Sequence, residues 1–429
     1  MPTGYRQAQK FLEALLSNGS REELTRRLEP RAGSAVANGC AKILRSGTTS
    51  FESLNRRWDL LQCRNEVRET LADEISFAQM DCYQRNIEHF IGTVKVPLGI
   101  AGPLRVNGLF AGGDYLVPLA TTEAALVASY SRGAQAITEA GGCSALLLNE
   151  GVSRAPGFAF RNLREAGNFV SWAILQLDAF KLVAESTTNH GKLIDMHVTV
   201  EGNHVYLRFE FTTGDAAGQN MVTIATEAIC HHILNHAPIQ PQYHFVEANL
   251  SGDKKASVQS FVSVRGKKVT AEIVIPADLL AKRLHTCAEA MTNYWRMSAM
   301  GGVLSGTIGV QGHYANGLAA LYLACGQDVA CVAESAVGVT RFEIVNGTDL
   351  YAAVTLPNLI VGTVGGGTGL PSQHACLEIL GMAGAGYAQA FAELCAALAL
   401  AGELSITAAL STGEFARAHR KLARGRKAL

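Results

Sequence analysis

A chain of 429 residues with 37 Lys and Arg against 37 Asp and Glu carries no formal net charge, so it lacks the electrostatic footprint of a nucleic-acid-binding protein. The length predicts two or three domains around a substantial core. Ten cysteines lie scattered without a C-x-x-C pair, and MPTGYRQAQKFLEALL is not a charged stretch followed by an apolar run, so reduced thiols and a cytoplasmic setting are expected.

Residues 1–87 carry charge-rich helical patterns, among them REELTRRLEP and FESLNRRWDLLQCRNEVRETLADEI, and predict a small helical domain. At Ile91–Leu104, IGTVKVPLGIAGPL, the composition turns apolar and punctuated by Gly and Pro, which marks a boundary. From residue 157 to 250 the periods follow a definite order. A short strand FAF precedes the helical LREAGNFVSWAILQLDAFKLVAES; LIDMHVTVEG and HVYLRFEF alternate around Gly202-Asn203; NMVTIATEAICHHIL is helical and YHFVEANL strand-like. This is the βαββαβ order of a ferredoxin-like unit, inserted in a larger domain of residues 88–156 and 251–429.

Beyond it, VQSFVSVRGKKVTAEIVIP reads as a hairpin and ADLLAKRLHTCAEAMTNYW as a helix. The most apolar stretch, Phe391–Leu410, has spanning length but carries Glu393 and Glu403, so it predicts a buried core helix and no membrane span. The fold class expected is α+β: a large, mainly helical domain around a long central helix, an inserted ferredoxin-like domain, and a small helical N-terminal domain.

Several positions carry chemistry. Gly214–Met221, GDAAGQNM, lies between a strand and a helix, where free N–H groups and the positive dipole end suit an anionic cofactor. Lys254 and Lys255 follow Asp253 in a polar loop, and a lysine held there suits oxyanion stabilisation. Glu123 follows Thr121 and Thr122, either of which suits a helix cap with a glutamate favourable after it, and Asp328, after Gly326-Gln327, serves equally as a cap. His419 stands alone near the C-terminus. His231, His232 and His236 lack the glutamate of H-E-x-x-H, so no metal is expected. Five glycines fill the eight residues from Gly362 to Gly369, but the spacing is neither a dinucleotide fingerprint nor a P-loop.

Taken together, IGTVKVPLGIAGPL, VPLATTEAALVASYSRGAQAI, GDAAGQNM, NLSGDKKAS, CGQDVA, DLYAAVTLPNLIVGTVGGGT and ARAH resemble, in order, the catalytic portion of the 3-hydroxy-3-methylglutaryl-CoA (HMG-CoA) reductase family in its class I form. The resemblance implies a four-electron reduction of a CoA thioester to mevalonate with two NAD(P)H and no metal. It assigns catalysis to Glu123, Lys254, Asp328 and His419, and substrate binding to Arg154, Asn249, Lys255, Ser129 and Arg132. Cofactor contacts fall on Thr188, Asn189, Asp215, Gly218, Gln219 and Asn220, with Gly365 and Gly366 letting the backbone pass close to the nicotinamide. It further implies a homodimer or homotetramer with active sites between subunits, and neither nucleic-acid nor membrane partners.

The chain departs from the family where Ala217 replaces a methionine and Asn189 an arginine near the 2′-phosphate of NADPH. The missing arginine opens the cofactor choice; with His190 or Lys192 taking its place NADPH is the expected cofactor, and NADH is the alternative. NAD-driven mevalonate oxidation and a non-catalytic CoA-ester-binding homologue are the competing functions, and retention of all four catalytic residues speaks against the latter.

Overall fold

The computed structural model describes residues 4–17, 19–30, 49–61 and 63–413, and divides between Val94 and Lys95 into two units. In the first, Phe51–Leu61, Asn65–Leu71 and Glu74–Ala78 are helices, and Leu54, Trp58, Ala72 and Phe90 form its core. The Trp58 indole N–H donates to the Ile91 carbonyl at 2.9 Å, and Arg57 Nη1 to that of Phe90 at 2.9 Å. The buried indole N–H and Arg57 Nη1 thus find acceptors while tying the chain after the helices back onto them.

The second unit is built on a ten-stranded sheet. Its strands are β1 (Leu98–Gly108), β2 (Gly112–Ala120), β3 (Cys143–Arg154), β4 (Gly157–Ala159), β5 (Lys192–Glu201), β6 (His204–Thr212), β7 (Tyr243–Phe245), β8 (Gly266–Ile275), β9 (Val339–Val345) and β10 (Asp349–Leu359). The order is β7-β4-β6-β3-β8-β10-β9, with β1 and β2 joined through β3, and β5 through β6. Within residues 157–250 the strands lie β7-β4-β6-β5, all antiparallel, which is the strand order of a ferredoxin-like unit. Its core holds Phe158, Phe160, Phe169, Phe180, Phe209 and Phe211.

Three local expectations need correction. The stretch 277–295 is not one helix: the helical turns Ala277–Leu279 and Leu280–Leu284 end at left-handed His285, φ +54°, and a separate helix runs Ala288–Ser305. The stretch 258–276 is not a hairpin: after a short turn of helix, Gly266–Ile275 is one strand between β3 and β10. Gly266-Lys267-Lys268 mimics a turn, but strand partners on both sides come from distant sequence and bury Val269, Ala271, Ile273 and Ile275. The helical stretch 163–186 is two helices, Leu163–Ala173 and Leu177–Glu185. Ala166, Phe169, Ala173, Phe180 and Ala184 are buried across the break, so apolar spacing carries no sign of it.

The central helix is Ala388–Ser411, 24 residues long, and packs on β1, β3, β8 and β10 and on the helix Leu126–Glu139. It is long and apolar enough to cross a membrane, yet nearly all of it is buried within the protein. Its two carboxylates explain how. Glu393 accepts the N–H groups of Phe110 at 2.9 Å, Ala111 at 2.8 Å and Leu147 at 3.2 Å. Glu403 accepts Gly312 N–H at 2.7 Å, His313 N–H at 2.8 Å and the Thr340 hydroxyl at 2.8 Å. Each thus satisfies donors that the sheet and loops leave unpaired, which is the condition for burying a carboxylate.

Candidate active site

Lys254 occupies a left-handed backbone conformation, φ +55°, in the loop that leaves the ferredoxin-like region. Its Nζ meets Asp328 Oδ2 at 2.8 Å. The other oxygen of Asp328 accepts Ala330 N–H at 3.0 Å, so the same carboxylate caps a turn and holds a lysine. That hydrogen bond raises the Lys254 pKa above the ordinary lysine value despite partial burial, keeping the ammonium charged.

Arg154, at the end of β3, is 6% exposed. Its Nη1 binds Asp253 Oδ2 at 2.9 Å and Glu247 Oε2 at 3.3 Å, and its Nη2 reaches the Gln219 carbonyl at 3.4 Å. Asn249, also left-handed at φ +64°, donates its backbone N–H to Glu247 Oε1 at 2.7 Å. Lys255 Nζ donates to the Asp253 carbonyl at 2.8 Å. Burial opposes ionisation of Asp253, but Arg265 and Arg154 together hold its carboxyl below the usual range.

The glycine run joins this cluster to the turn at Asp215. The Gln327 side-chain amide exchanges two hydrogen bonds, each 2.9 Å, with the backbone of Gly362. The Asp215 carbonyl accepts Thr363 N–H at 2.9 Å, and a Cβ on Gly362 would sit 2.5 Å from Ala217 N. One on Gly367 would sit 2.7 Å from the Gly326 carbonyl oxygen. These glycines are therefore spacers that let three backbones touch. Gly365 and Gly366, at φ +75° and +54°, have open space where a Cβ would project.

Gly218 is the N-cap of the helix Gln219–His236 at φ +81°, and a Cβ there would lie 2.2 Å from Thr213 Cγ2. Gln219 Nε2 donates to Cys331 Sγ at 2.6 Å, and burial pushes the Cys331 thiol up to about 12. Asn220 is exposed. Thr188 Oγ1 bonds Met221 Sδ at 3.0 Å, which sets the loop with exposed Asn189 beside the first turn of that helix. Asp215 is committed to structure as well, its Oδ1 accepting Ala388 N–H at the start of the central helix at 3.2 Å.

Glu123, Ser129 and Arg132 form a separate group. They line a cavity of about 410 Å³ with His313, Asn316 and Ile406. Ser129 Oγ lies 2.9 Å from Ser405 Oγ, and Arg132 Nη2 donates to the Ser405 carbonyl at 2.7 Å. Asn316 Nδ2 reaches Glu123 Oε1 at 3.5 Å. Thr121 turns the chain here by accepting Glu123 N–H at 3.0 Å, but the helix starts only at Leu126. Among the described residues, no hydrogen bond or ion pair joins Glu123 to Lys254 or Asp328. His419 lies outside the described residues. Asn316, Glu247, Arg265 and Glu334 also belong to these groups, and no local motif marks them in the sequence.

The family model for hydroxymethylglutaryl-coenzyme A reductase matches residues 53–424. This chain belongs to that family. A 3-hydroxy-3-methylglutaryl-coenzyme A reductase of Pyrococcus horikoshii is 45% identical over 348 residues, spanning 79% of this chain and 84% of the relative. That of Methanothermobacter thermautotrophicus is 44% identical over 346 residues, spanning 80% and 86%. A solved 3-hydroxy-3-methylglutaryl-coenzyme A reductase of Streptococcus pneumoniae shares the fold with a TM-score of 0.63 at 19% identity, covering 84% of this chain and 97% of that one. A class II structure from the same organism, bound to NADPH in open conformations, gives 0.63 at 20% over the same shares. The motif-by-motif resemblance of the hydroxymethylglutaryl-coenzyme A reductase family to this chain thus extends to overall sequence and fold.

Proposed function

We infer that this chain reduces 3-hydroxy-3-methylglutaryl-CoA to mevalonate and free CoA. The observation that carries the reading is the 2.8 Å Lys254–Asp328 pair, set where the Arg154 cluster, the glycine run and the Gly218 helix start converge in a member of a reductase family. NADPH is the cofactor, with NADH the alternative left by Asn189. Open space beside Gly365 and Gly366 and the helix N-terminus after Gly218 fit such a group, whose contacts are Thr188, Asn189, Asp215, Gly218, Gln219 and Asn220. When bound it supplies one hydride in each of two steps.

Hydride arrival turns the thioester carbonyl into an oxyanion, which the Lys254 ammonium stabilises. Asp328 keeps that ammonium charged and shares its proton equilibrium. His419 protonates the departing CoA thiolate, and Glu123 supplies the proton for the alkoxide formed in the second reduction. Arg154, Asn249 and Lys255 hold the substrate carboxylate end, a task suited to guanidinium, while Ser129 and Arg132 hold CoA.

The separation of the Glu123 cavity from Lys254 supports a homodimer or homotetramer in which one protomer's Glu123, Ser129 and Arg132 complete its partner's Lys254 and Arg154. In this scheme residues 157–250 are the cofactor domain, residues 88–156 and 251–429 the catalytic domain, and residues 1–87 an N-terminal helical domain. Nine unpaired cysteines among the described residues accord with a cytoplasmic setting.

The test is absorbance loss of NADPH and of NADH, in parallel, with 3-hydroxy-3-methylglutaryl-CoA. NADPH oxidation is the expected result; oxidation of neither would overturn the reading, and a strong NADH preference would reverse the cofactor assignment.

A further inference from the structure

The loop of residues 249–255 and the segment of residues 328–335 meet twice. On the accessible side, Lys254 Nζ binds Asp328. On the buried side, the backbone N–H of the same lysine donates to Glu334 Oε1 at 3.1 Å. Glu334 is 0% exposed, and both its oxygens accept Arg265 Nη1 at 2.6 Å. Arg265 is 1% exposed, and its Nη2 binds Asp253 Oδ1 at 2.7 Å, which places Arg154 at the far end of the chain of charges.

Lys254 itself is left-handed, φ +55°. That conformation is unfavourable for a lysine and persists only where surrounding contacts hold it. Among the described residues, the Glu334 carboxylate is the acceptor that holds its backbone N–H. A buried ion pair is a poor device for stability, since apolar residues of equal volume do as well or better. This pair stands directly behind a lysine whose side chain has one partner at 2.8 Å.

We propose that Glu334, locked by Arg265, is the positioning residue for Lys254, fixing the left-handed backbone from which the ammonium reaches Asp328 and the reacting oxygen. The proposal rests on the reductase reading of the site. Glu334 touches no substrate; it acts on rate because a misplaced catalytic group loses turnover rather than binding. Released from Glu334, the lysine relaxes toward negative φ and its ammonium leaves Asp328.

Two variants test it, with circular dichroism as the check on folding. In E334Q the volume is unchanged, but the amide NH₂ must face either Arg265 alone or Arg265 together with the Lys254 N–H, all donors, so the lock on residue 334 or its grip on Lys254 is lost. In R265M/E334M both charges go and no buried ion is left unpaired. Both variants are expected to lose about 10–100-fold in kcat, the scale set by misplacing a catalytic group, with KM for the CoA thioester changed less than about threefold. Competitive acetylation read by mass spectrometry should show Lys254 labelled at least about threefold faster relative to the other lysines, because a lysine away from Asp328 loses the bond that keeps it protonated.

A folded double variant with kcat and Lys254 labelling near wild type overturns the proposal, as does a fall in kcat without a change in labelling. If the double variant does not fold, E334Q decides by the same criteria. If the wild-type protein does not turn over 3-hydroxy-3-methylglutaryl-CoA, the reductase reading fails on its own; labelling then decides this proposal, and unchanged labelling in E334Q overturns it.

Discussion

Lys254 combines an unfavourable backbone angle with a charge-assisted bond, and each has a consequence that substitution exposes. Lys254→Ala removes the oxyanion partner while leaving the buried Arg265–Glu334 pair in place. The expected loss is about 10²–10³ in kcat or more, with circular dichroism and thermal midpoint close to wild type. Turnover within a few-fold of wild type would remove Lys254 from the chemistry. Gly218 is constrained twice, by its φ of +81° and by the 2.2 Å a Cβ would leave to Thr213. Gly218→Ala should therefore weaken NADPH binding at least about tenfold by shifting the helix start, measured by quenching of protein fluorescence; an unchanged Kd would show that the helix start does not meet the cofactor.

At the scale of elements, the central helix is held by its buried carboxylates as much as by its alanines. Glu393→Leu fills the space but leaves the Phe110, Ala111 and Leu147 N–H groups without their acceptor, at about 1–3 kcal/mol for each group left unsatisfied. The variant should show a clearly lowered midpoint in urea, and an unchanged midpoint would mean that the N–H groups find other acceptors.

This helix was legible in sequence because two glutamates interrupt a spanning-length apolar run. The ferredoxin-like strand order was legible because period-2 and helical patterns alternate cleanly through residues 157–250. β8 was misread because Gly266-Lys267-Lys268 has turn composition, and only partners far away in sequence, on β3 and β10, make it a central strand. Lys254 and Asp328 could be found through their motifs. Arg265 and Glu334 could not, since 69 positions separate them and neither pattern nor spacing announces a buried pair. The glycine run was recognisable as a motif, but its contact with Asp215–Ala217 is a tertiary fact that local spacing does not contain.

For the whole molecule, the depressed pKa of Asp253 predicts how stability responds to acid. Its folded-state value lies below the unfolded value of about 3.9, so its contribution is fully present above that value and is lost as pH falls through the folded pKa. Urea midpoints between pH 6 and pH 3, chosen as about two units above and one below that reference, should fall toward the acid end, and less steeply in Asp253→Asn. Equal slopes would show that other carboxylates govern the acid limb.

The two separated groups of site residues predict complementation. Glu123→Gln and Lys254→Ala proteins, each inactive, should regain activity when unfolded and refolded together, reaching about a quarter of wild type if half the dimers are mixed and one of their two sites is intact. No recovery would place both groups in one protomer's site.

The most direct measurement of the central claim is the stoichiometry of a completed reaction: NADPH consumed, CoA thiol released and mevalonate formed from 3-hydroxy-3-methylglutaryl-CoA, with the Lys254→Ala protein as control. Two NADPH for each thiol and each mevalonate are expected, with the control giving at most about a hundredth of each in the same time. One NADPH per thiol, or thiol release without NADPH consumption, would contradict that claim.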